Sequence, residues 1–206
     1  MATKYFLDTE FIEDGKTIDL ISLALVCEDG RVLYLQNIEC QFAKASDWVW
    51  RNVFIHLNHF HMSGARECTP KIGETKEFIG GLTGFNHKCG GKDGPCPWAT
   101  RNEIREAVLD FCNPDKYGKP EFWGYYADYD WVVFCQLFGR MIELPEGFPM
   151  YCHDLKQIAD EIKFRLPRPE KEIHNALVDA LQVKEWYGLI IRERELLAKE
   201  RELLKK

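Results

Sequence analysis

The stretch YFLDTEF at residues 5–11 constrains the fold of this chain more than any other. Its aromatic and aliphatic residues predict a buried β-strand, in which successive side chains point to opposite faces of a sheet. Asp8 and Glu10 therefore share one face, and the residues between and around them point to the other. Two neighbouring carboxylates on a partly buried face repel each other and are costly to remove from water. We therefore expect a cation to lie between them.

The next two segments predict an antiparallel meander. TIDLISLALVCED (17–29) and RVLYLQNIEC (31–40) both have the composition of strands, and the turn signal Asp29-Gly30 separates them. Strand and helix patterns then alternate after Thr100, which has a capping Glu103 three residues on. The predicted elements are a helix at 100–112, a strand at 121–127, a helix at 130–142, a strand at 148–154, a helix at 155–162 and a helix from about 174 to the end. This order predicts an α/β fold with a mixed sheet, antiparallel at the N-terminus and parallel further on, flanked by helices.

With 206 residues, the chain fits one domain with an insertion and a tail. We assign 1–188 to the domain and 189–206 to a charged helical extension. Within the domain, glycines and prolines predict an irregular insertion at 63–99, whose length is typical of a functional lid or of a disordered segment. The extension has leucines seven residues apart, which permits a coiled-coil seam and is compatible with a homodimer; a solvated helix fits equally well.

The formal net charge of −6 argues against a protein that holds long duplex nucleic acid by neutralising its phosphates. It leaves room for an enzyme that binds a few phosphates through metal ions. The chain has no run of 18 apolar residues and no signal-peptide pattern, so we expect a soluble, cytoplasmic protein that does not contact a membrane. Five of the eight cysteines lie singly in apolar segments and are expected to be reduced thiols, namely Cys27, Cys40, Cys112, Cys135 and Cys152.

Two later segments supply further candidate ligands. Asp128 and Asp130 lie where a predicted strand passes into a helix. They are therefore at the C-terminal end of the strand, which is the end at which α/β sheets bind ligands. His174 and Asp179 are five residues apart, or about 500° on a helix, so they converge only if His174 lies in the preceding loop or at the first turn. Clustered carboxylates favour Mg²⁺ or Mn²⁺ over zinc. Two such ions can bind the attacking and leaving oxygens of a phosphoryl displacement.

FLDTEF, YADYDW and HNALVD resemble, in this order, the three motifs of the DEDDh 3′–5′ exonucleases, which have a ribonuclease H-like fold. The resemblance extends over roughly 170 residues. WATRNEIREAVLDF, ALVDA and the FCQLFG stretch are similar to the mycobacterial-type 3′–5′ exoribonuclease subfamily, itself similar to ribonuclease T. The segment WGYYADYD departs from the proofreading members because it lacks their His-Asn-Ala lead-in.

The resemblance implies a role for each motif residue. Asp8, Glu10 and Asp179 would bind one metal ion, Asp8 would bridge to a second ion held by Asp130, and His174 would be the general base. It implies hydrolysis of single-stranded RNA, or of 3′ overhangs, from the 3′ end to nucleoside 5′-monophosphates. Two alternatives stay open. The protein is an exonuclease on DNA, or on both RNA and DNA, or it is a nucleic-acid-binding module without turnover.

Several neighbouring residues are candidates for other roles. Thr9 and Phe11 are placed by their positions to contact the terminal nucleotide, as are Tyr126 and Trp131; a core role fits the aromatic residues equally well. Asp128 is interpreted as a solvated turn acid and Asp154 as a helix cap. Three cations precede His174 and either steer phosphate or form a solvated loop, namely Arg165, Arg168 and Lys171.

Histidines and cysteines near the insertion raise a third possibility, a zinc site of a hydrolase. The residues are His56, His59, His61, Cys68, His87, Cys89 and Cys96. No Cys-x2-Cys pair occurs among them, so the spacing of a structural zinc site is missing. We favour a lid over the candidate site.

Overall fold

A computed structural model describes residues 2–57, 76–79, 82–86, 95–168 and 174–205, with only the backbone described at 76–79, 82–86 and 95–96. The strands are β1 Thr3–Glu13, β2 Ile18–Cys27, β3 Val32–Asn37, β4 Lys76–Ile79, β5 Leu82–Asn86, β6 Pro95–Cys96, β7 Trp98–Ala99, β8 Pro120–Gly124 and β9 His153–Asp154. The helices are α1 Asp47–Asn52, α2 Arg101–Phe111, α3 Pro114–Tyr117, α4 Asp128–Cys135, α5 Leu155–Glu161 and α6 Ala176–Leu203. The predicted α/β class is therefore confirmed.

The strands form one mixed sheet in the order β4-β5-β3-β2-β1-β8-β9, with β6 beside β5 and β7 beside β3. β1, β2 and β3 are the predicted antiparallel meander. β8 and β9 add the parallel part next to β1. This mixed sheet, flanked by helices, is consistent with a ribonuclease H-like fold.

β1 is much longer than its parallel neighbour β8. Their pairing runs from Thr3 opposite Pro120 to Phe6 opposite Trp123 and then stops. Gly124 ends β8 and permits a sharp turn towards α4, because a Cβ at this position would lie 2.5 Å from the Cβ of Ala127. Beyond Phe6, none of the described strands lies beside β1 on this edge.

The sheet has a separate hydrophobic core on each face. One core packs Tyr5 and Leu7 of β1 against residues of α2 and α4. The other packs Phe6 against α5 and α6. Since side chains alternate along β1, Asp8 and Glu10 lie on the α6 face.

Helix caps predicted from the sequence are present. Thr100 and Glu103 form the expected capping box of α2, and the Asp154 side chain accepts hydrogen bonds from Lys156 N and Gln157 N at the start of α5. The Asp154 prediction is confirmed. Cys27, Cys40, Cys112, Cys135 and Cys152 are all free thiols; the first four are buried and Cys152 is partly exposed.

Several predicted elements are shorter than the sequence indicated, among them the strands predicted at 31–40 and 121–127, which end at Asn37 and Gly124. The helix predicted to reach residue 142 ends at Cys135, and Gly139 follows in the left-handed region at φ +99°. The strand predicted at 148–154 is reduced to His153–Asp154, since Pro149 cannot donate a ladder hydrogen bond. Apolar composition alone did not reveal these boundaries.

The predicted insertion at 63–99 contains backbone segments that pair with the sheet. β4 and β5 form an antiparallel pair, β5 joins β3, and β7 joins β3 at Gln36 and Asn37. The suggested lid, and most of the zinc candidates, lie outside the described residues. Of those candidates only His56 has a described side chain.

α6 continues without a break across the predicted domain boundary at 188/189. Its contacts with the core extend to Ile190, while Leu196 and Leu203 are exposed. Among the helices that the structure describes, none has the length and apolar character needed to cross a bilayer.

Candidate active site

A cavity of about 420 Å³ opens over the α6 face of β1. It gathers all five predicted catalytic residues, which come from three separated segments of the chain. The lining residues are Asp8, Thr9, Glu10, Phe11, Trp48, Val53, Tyr125, Asp130, His174, Asp179, Gln182, Val183 and Trp186.

The strand and α6 together bring three carboxylates close to one another. Asp8, Glu10 and Asp179 each offer an oxygen atom, and these atoms lie within 4.8 Å of one another. Asp179 lies in the first turn of α6, where its Oδ2 accepts a hydrogen bond of 3.2 Å from the backbone N–H of Asn175, the N-cap residue. Three convergent carboxylates of this kind could bind a metal ion.

Asp130 reaches the cavity from the first turn of α4 and is held by Thr9. Its Oδ1 accepts two hydrogen bonds, from the Thr9 backbone N–H at 2.8 Å and from the Thr9 hydroxyl at 2.6 Å. The N–H is available because β8 has ended, and among the described strands none pairs with β1 on that side, opposite β2. Asp130 is not one of the three clustered acids, although it lines the same cavity.

The carboxylates of the cavity raise one another's pKa values. Burial and then the charges of Asp130, Asp179 and Glu10 raise the pKa of Asp8 well above its usual range. Burial, followed by Asp179 and Asp130, raises the pKa of Glu10 to about 8. Burial raises the pKa of Asp130 to about 6 against the opposing effect of the Thr9 hydrogen bonds.

Asp179 also has a raised pKa, owing first to burial. Among the described residues, no lysine or arginine forms an ion pair with any of these four carboxylates. A divalent cation fits this arrangement, since it would favour the ionised form of every acid.

His174 precedes α6 by two residues, so it lies in the loop that its convergence with Asp179 requires. Its ring packs edge-on against Trp48, with ring centroids 4.8 Å apart. Asn175, the next residue, donates from its side chain to the backbone oxygen of His56 at 3.0 Å. These contacts fix the segment that carries the histidine.

The four predicted substrate contacts are not equivalent. Phe11 lines the cavity and stacks on Tyr129, with ring centroids 5.9 Å apart. Thr9 also lines it, but its hydroxyl and N–H both bind Asp130. Trp131 and Tyr126 are not among the lining residues.

Trp131 stacks on Phe134 in the core beneath α4. Tyr126 is exposed and adopts φ +55°. Its ring packs against that of Tyr125, with ring centroids 4.7 Å apart. Asp128 is exposed on α4, as expected of a turn acid.

Six lining residues were not predicted from the sequence, namely Trp48, Val53, Tyr125, Gln182, Val183 and Trp186. Gln182 and Trp186 follow Asp179 by three and seven residues, so helical spacing from Asp179 could have revealed them. Tyr125 lies within the predicted strand 121–127 and directly follows the observed end of β8 at Gly124. Trp48 comes from a distant helix, and no local pattern connects it to the other residues.

The mixed sheet and the acidic cavity define an α/β domain of the ribonuclease H-like kind whose site could hold a metal ion. No family model matches the chain. It is 32% identical over 178 residues to 3′–5′ exoribonucleases of Mycobacterium tuberculosis strains CDC 1551 / Oshkosh and ATCC 25618 / H37Rv, and the matched region covers 86% of this chain and 86% of each relative. The chain therefore belongs to the family of these 3′–5′ exoribonucleases.

Proposed function

We propose that this protein is a metal-dependent 3′–5′ exoribonuclease that hydrolyses single-stranded RNA, or 3′ overhangs, to nucleoside 5′-monophosphates. The observation that carries the proposal is the cluster of Asp8, Glu10 and Asp179, joined by Asp130 and His174 in one cavity. The family relationship supports the substrate. The order of the three motifs supports a place among the DEDDh enzymes with similarity to ribonuclease T.

Mg²⁺ or Mn²⁺ would be held by the carboxylates, with Asp8, Glu10 and Asp179 at one ion and Asp8 and Asp130 at a second. When bound, such ions supply positive charge to the scissile phosphate and its attacking and leaving oxygens. The raised pKa values of Asp8 and Glu10 in the metal-free protein support this, because they reflect burial and then crowded negative charge with which no described lysine or arginine forms an ion pair.

His174 is the proposed general base. It accepts a proton from the attacking water, whose oxygen forms the new bond to phosphorus while the bond to the 3′ oxygen of the preceding nucleotide breaks. The released nucleotide keeps the phosphate on its 5′ oxygen. Trp48 limits the movement of the His174 ring, and Thr9 orients Asp130.

Aromatic side chains around the carboxylates would hold the terminal nucleotide. Phe11, backed by Tyr129, offers a ring face to a base, and stacking of this kind is worth about 1–3 kcal/mol. Stacking does not involve the 2′-hydroxyl and so does not distinguish RNA from DNA. The experiment must therefore compare the activity on both.

The exposed leucines on α6 are compatible with a homodimer formed through the extension at 189–206. The proposed location is the cytoplasm. Both proposals are independent of the chemistry at the cavity.

The direct test is incubation with single-stranded RNA, single-stranded DNA and duplexes with 3′ overhangs, each labelled at the 5′ end, in Mg²⁺ or Mn²⁺. We expect RNA to shorten one nucleotide at a time from the 3′ end, with release of 5′-monophosphates, and chelation to stop the reaction. Shortening of DNA alone would reassign the substrate, and binding without products would favour a binding module. Products that persist in Asp179→Ala and disappear on zinc chelation would favour a zinc hydrolase.

A further inference from the structure

A second cavity, of about 560 Å³, lies beside the acidic one and has the opposite charge. It is formed by α5, by the segment that follows α5 and by the residue after β8. The lining residues are Tyr125, Lys156, Ala159, Asp160, Lys163, Phe164, Arg165, Leu166 and Arg168. We call it the basic pocket.

Four of the lining side chains are cationic and one is anionic. Lys156 forms an ion pair with Asp160, which neutralises both. Lys163, Arg165 and Arg168 are exposed and form no ion pair with any other residue that the structure describes. This concentration of positive charge occurs in a chain whose net charge is −6.

The two cavities share a wall. Tyr125 lines both of them, and its ring packs against Trp186 of the acidic cavity with centroids 4.6 Å apart. A strand whose last nucleotide enters the acidic cavity could therefore continue past Tyr125 into the basic pocket.

Charge explains why a strand would take this path. The acidic cavity repels every phosphate except one that is next to bound cations, so the phosphates behind the scissile one need positive charge elsewhere. Guanidinium groups bind phosphate oxygens through paired N–H donors, and Arg165 and Arg168 offer two such groups three residues apart. Tyr125, which is partly exposed between the sites, offers aromatic surface on which a base can stack.

We propose that the basic pocket binds the phosphodiester backbone of the RNA strand upstream of its 3′-terminal nucleotide. The proposal rests on the proposed exoribonuclease function, which it extends from the cleaved nucleotide to the rest of the substrate. Because the pocket would bind phosphates and not base edges, it should increase the affinity for longer RNA strands without selecting their base sequence. Lys163 contributes from a left-handed turn at φ +56°.

The test compares an RNA dinucleotide, which ends at the acidic cavity, with an RNA octamer, which reaches the basic pocket. For the double variant Arg165→Gln/Arg168→Gln, we expect the ratio of kcat/KM for octamer to dinucleotide to fall on the order of tenfold. The salt dependence of octamer binding should also become shallower, by about 1.4 in log–log slope for two lost phosphate contacts. A matched control is Arg192→Gln/Arg194→Gln, which removes the same charge from α6 outside both cavities and should keep the wild-type ratio.

Two further measurements separate the possible failures. Lys163→Asn removes one charge while retaining a residue that tolerates positive φ, so it tests the pocket with little effect on folding. If wild-type protein hydrolyses neither substrate, the proposed function itself fails. If it hydrolyses both, and neither the double variant nor Lys163→Asn changes the ratio or the salt slope, the basic pocket is not the path of the strand.

Discussion

Thr9 donates both its backbone N–H and its hydroxyl to the same oxygen atom, Oδ1 of Asp130, at 2.8 Å and 2.6 Å. Asp130 thus points into the acidic cavity because β1 holds it there, although it belongs to a helix on the other side of the sheet. The bonds favour the ionised carboxylate and oppose the rise in pKa that burial causes.

Replacing Thr9 by valine tests this positioning role. Thr9→Val keeps the shape and the N–H bond but removes the hydroxyl bond, which to a buried carboxylate is worth about 1.5–3 kcal/mol. We expect kcat to fall on the order of tenfold with a smaller change in KM, and Thr9→Ser to restore most of the activity. Steady-state kinetics at several Mg²⁺ concentrations would measure this, and a change in KM alone would point instead to a contact with the nucleotide.

Removal of Asp8 should abolish metal binding and activity together. Asp8→Asn keeps the size of the side chain but removes the charge, so we expect kcat to fall more than about 100-fold, beyond the range of outer-shell substitutions. Titration calorimetry with Mn²⁺ gives the affinity. Asp128→Asn is the control, since Asp128 is an exposed acid on the same helix as Asp130, and its activity should stay within about twofold of wild type.

The stability of the metal-free protein should decrease as the pH rises. The folded-state pKa of Glu10, about 8, lies above its ordinary value of 4.5, so the folded protein holds more protons than the unfolded chain between these values. The free energy of unfolding must then fall as the pH increases through that window. Urea unfolding in a chelator from pH 5 to pH 8 would measure the slope.

Glu10→Gln should reduce that slope, and Mg²⁺ or Mn²⁺ should stabilise the wild-type protein most at the alkaline end. A slope of the opposite sign in chelator would contradict the charge balance derived for the cavity.

Replacing His174 should slow the chemical step and leave the affinity for the metal ion unchanged. For His174→Ala we expect kcat to fall about 10²–10⁴-fold with Mn²⁺ affinity retained, because a general base moves a proton and does not coordinate the ion. Single-turnover rates with RNA separate chemistry from product release. A parallel loss of Mn²⁺ binding would instead make His174 a ligand.

Trp48→Ala should lower kcat less than His174→Ala does, since it removes only the ring that packs against His174, with ring centroids 4.8 Å apart. Trp48→Phe should recover part of that loss by restoring an aromatic edge contact. Equal effects of Trp48→Ala and His174→Ala would mean that the tryptophan contributes more than packing.

Local chemistry made much of this fold predictable. Alternation along 5–11 revealed the faces of β1, and the pattern Thr100 to Glu103 located a helix start, because both depend only on neighbouring residues. The four acids and His174 were identified through motifs of fixed local spacing. The end of α4 at Cys135 was not predictable in the same way, because apolar residues continue beyond it and only Gly139 marks the change.

Residues whose roles depend on distant contacts were the ones that the sequence could not reveal. Thr9 lies between two predicted ligands, yet its partner is 121 positions away in the chain. Trp131 adjoins a motif acid, yet helical geometry turns it into the core. Trp48 reaches His174 only through the packing of α1, which no periodic pattern encodes.

The early end of β8 has a consequence for how such a site can arise and be lost. The unpaired backbone groups of a sheet edge usually pair with another strand. Here the carboxylate of Asp130 accepts the hydrogen bond from the Thr9 N–H instead. Two or three more residues of β8 alongside Asp8 and Thr9 would complete the ladder and turn Asp130 away. Insertions at the β8–α4 junction should therefore yield proteins that fold but lack activity, because the length of this one strand is a requirement of the site and not of the fold.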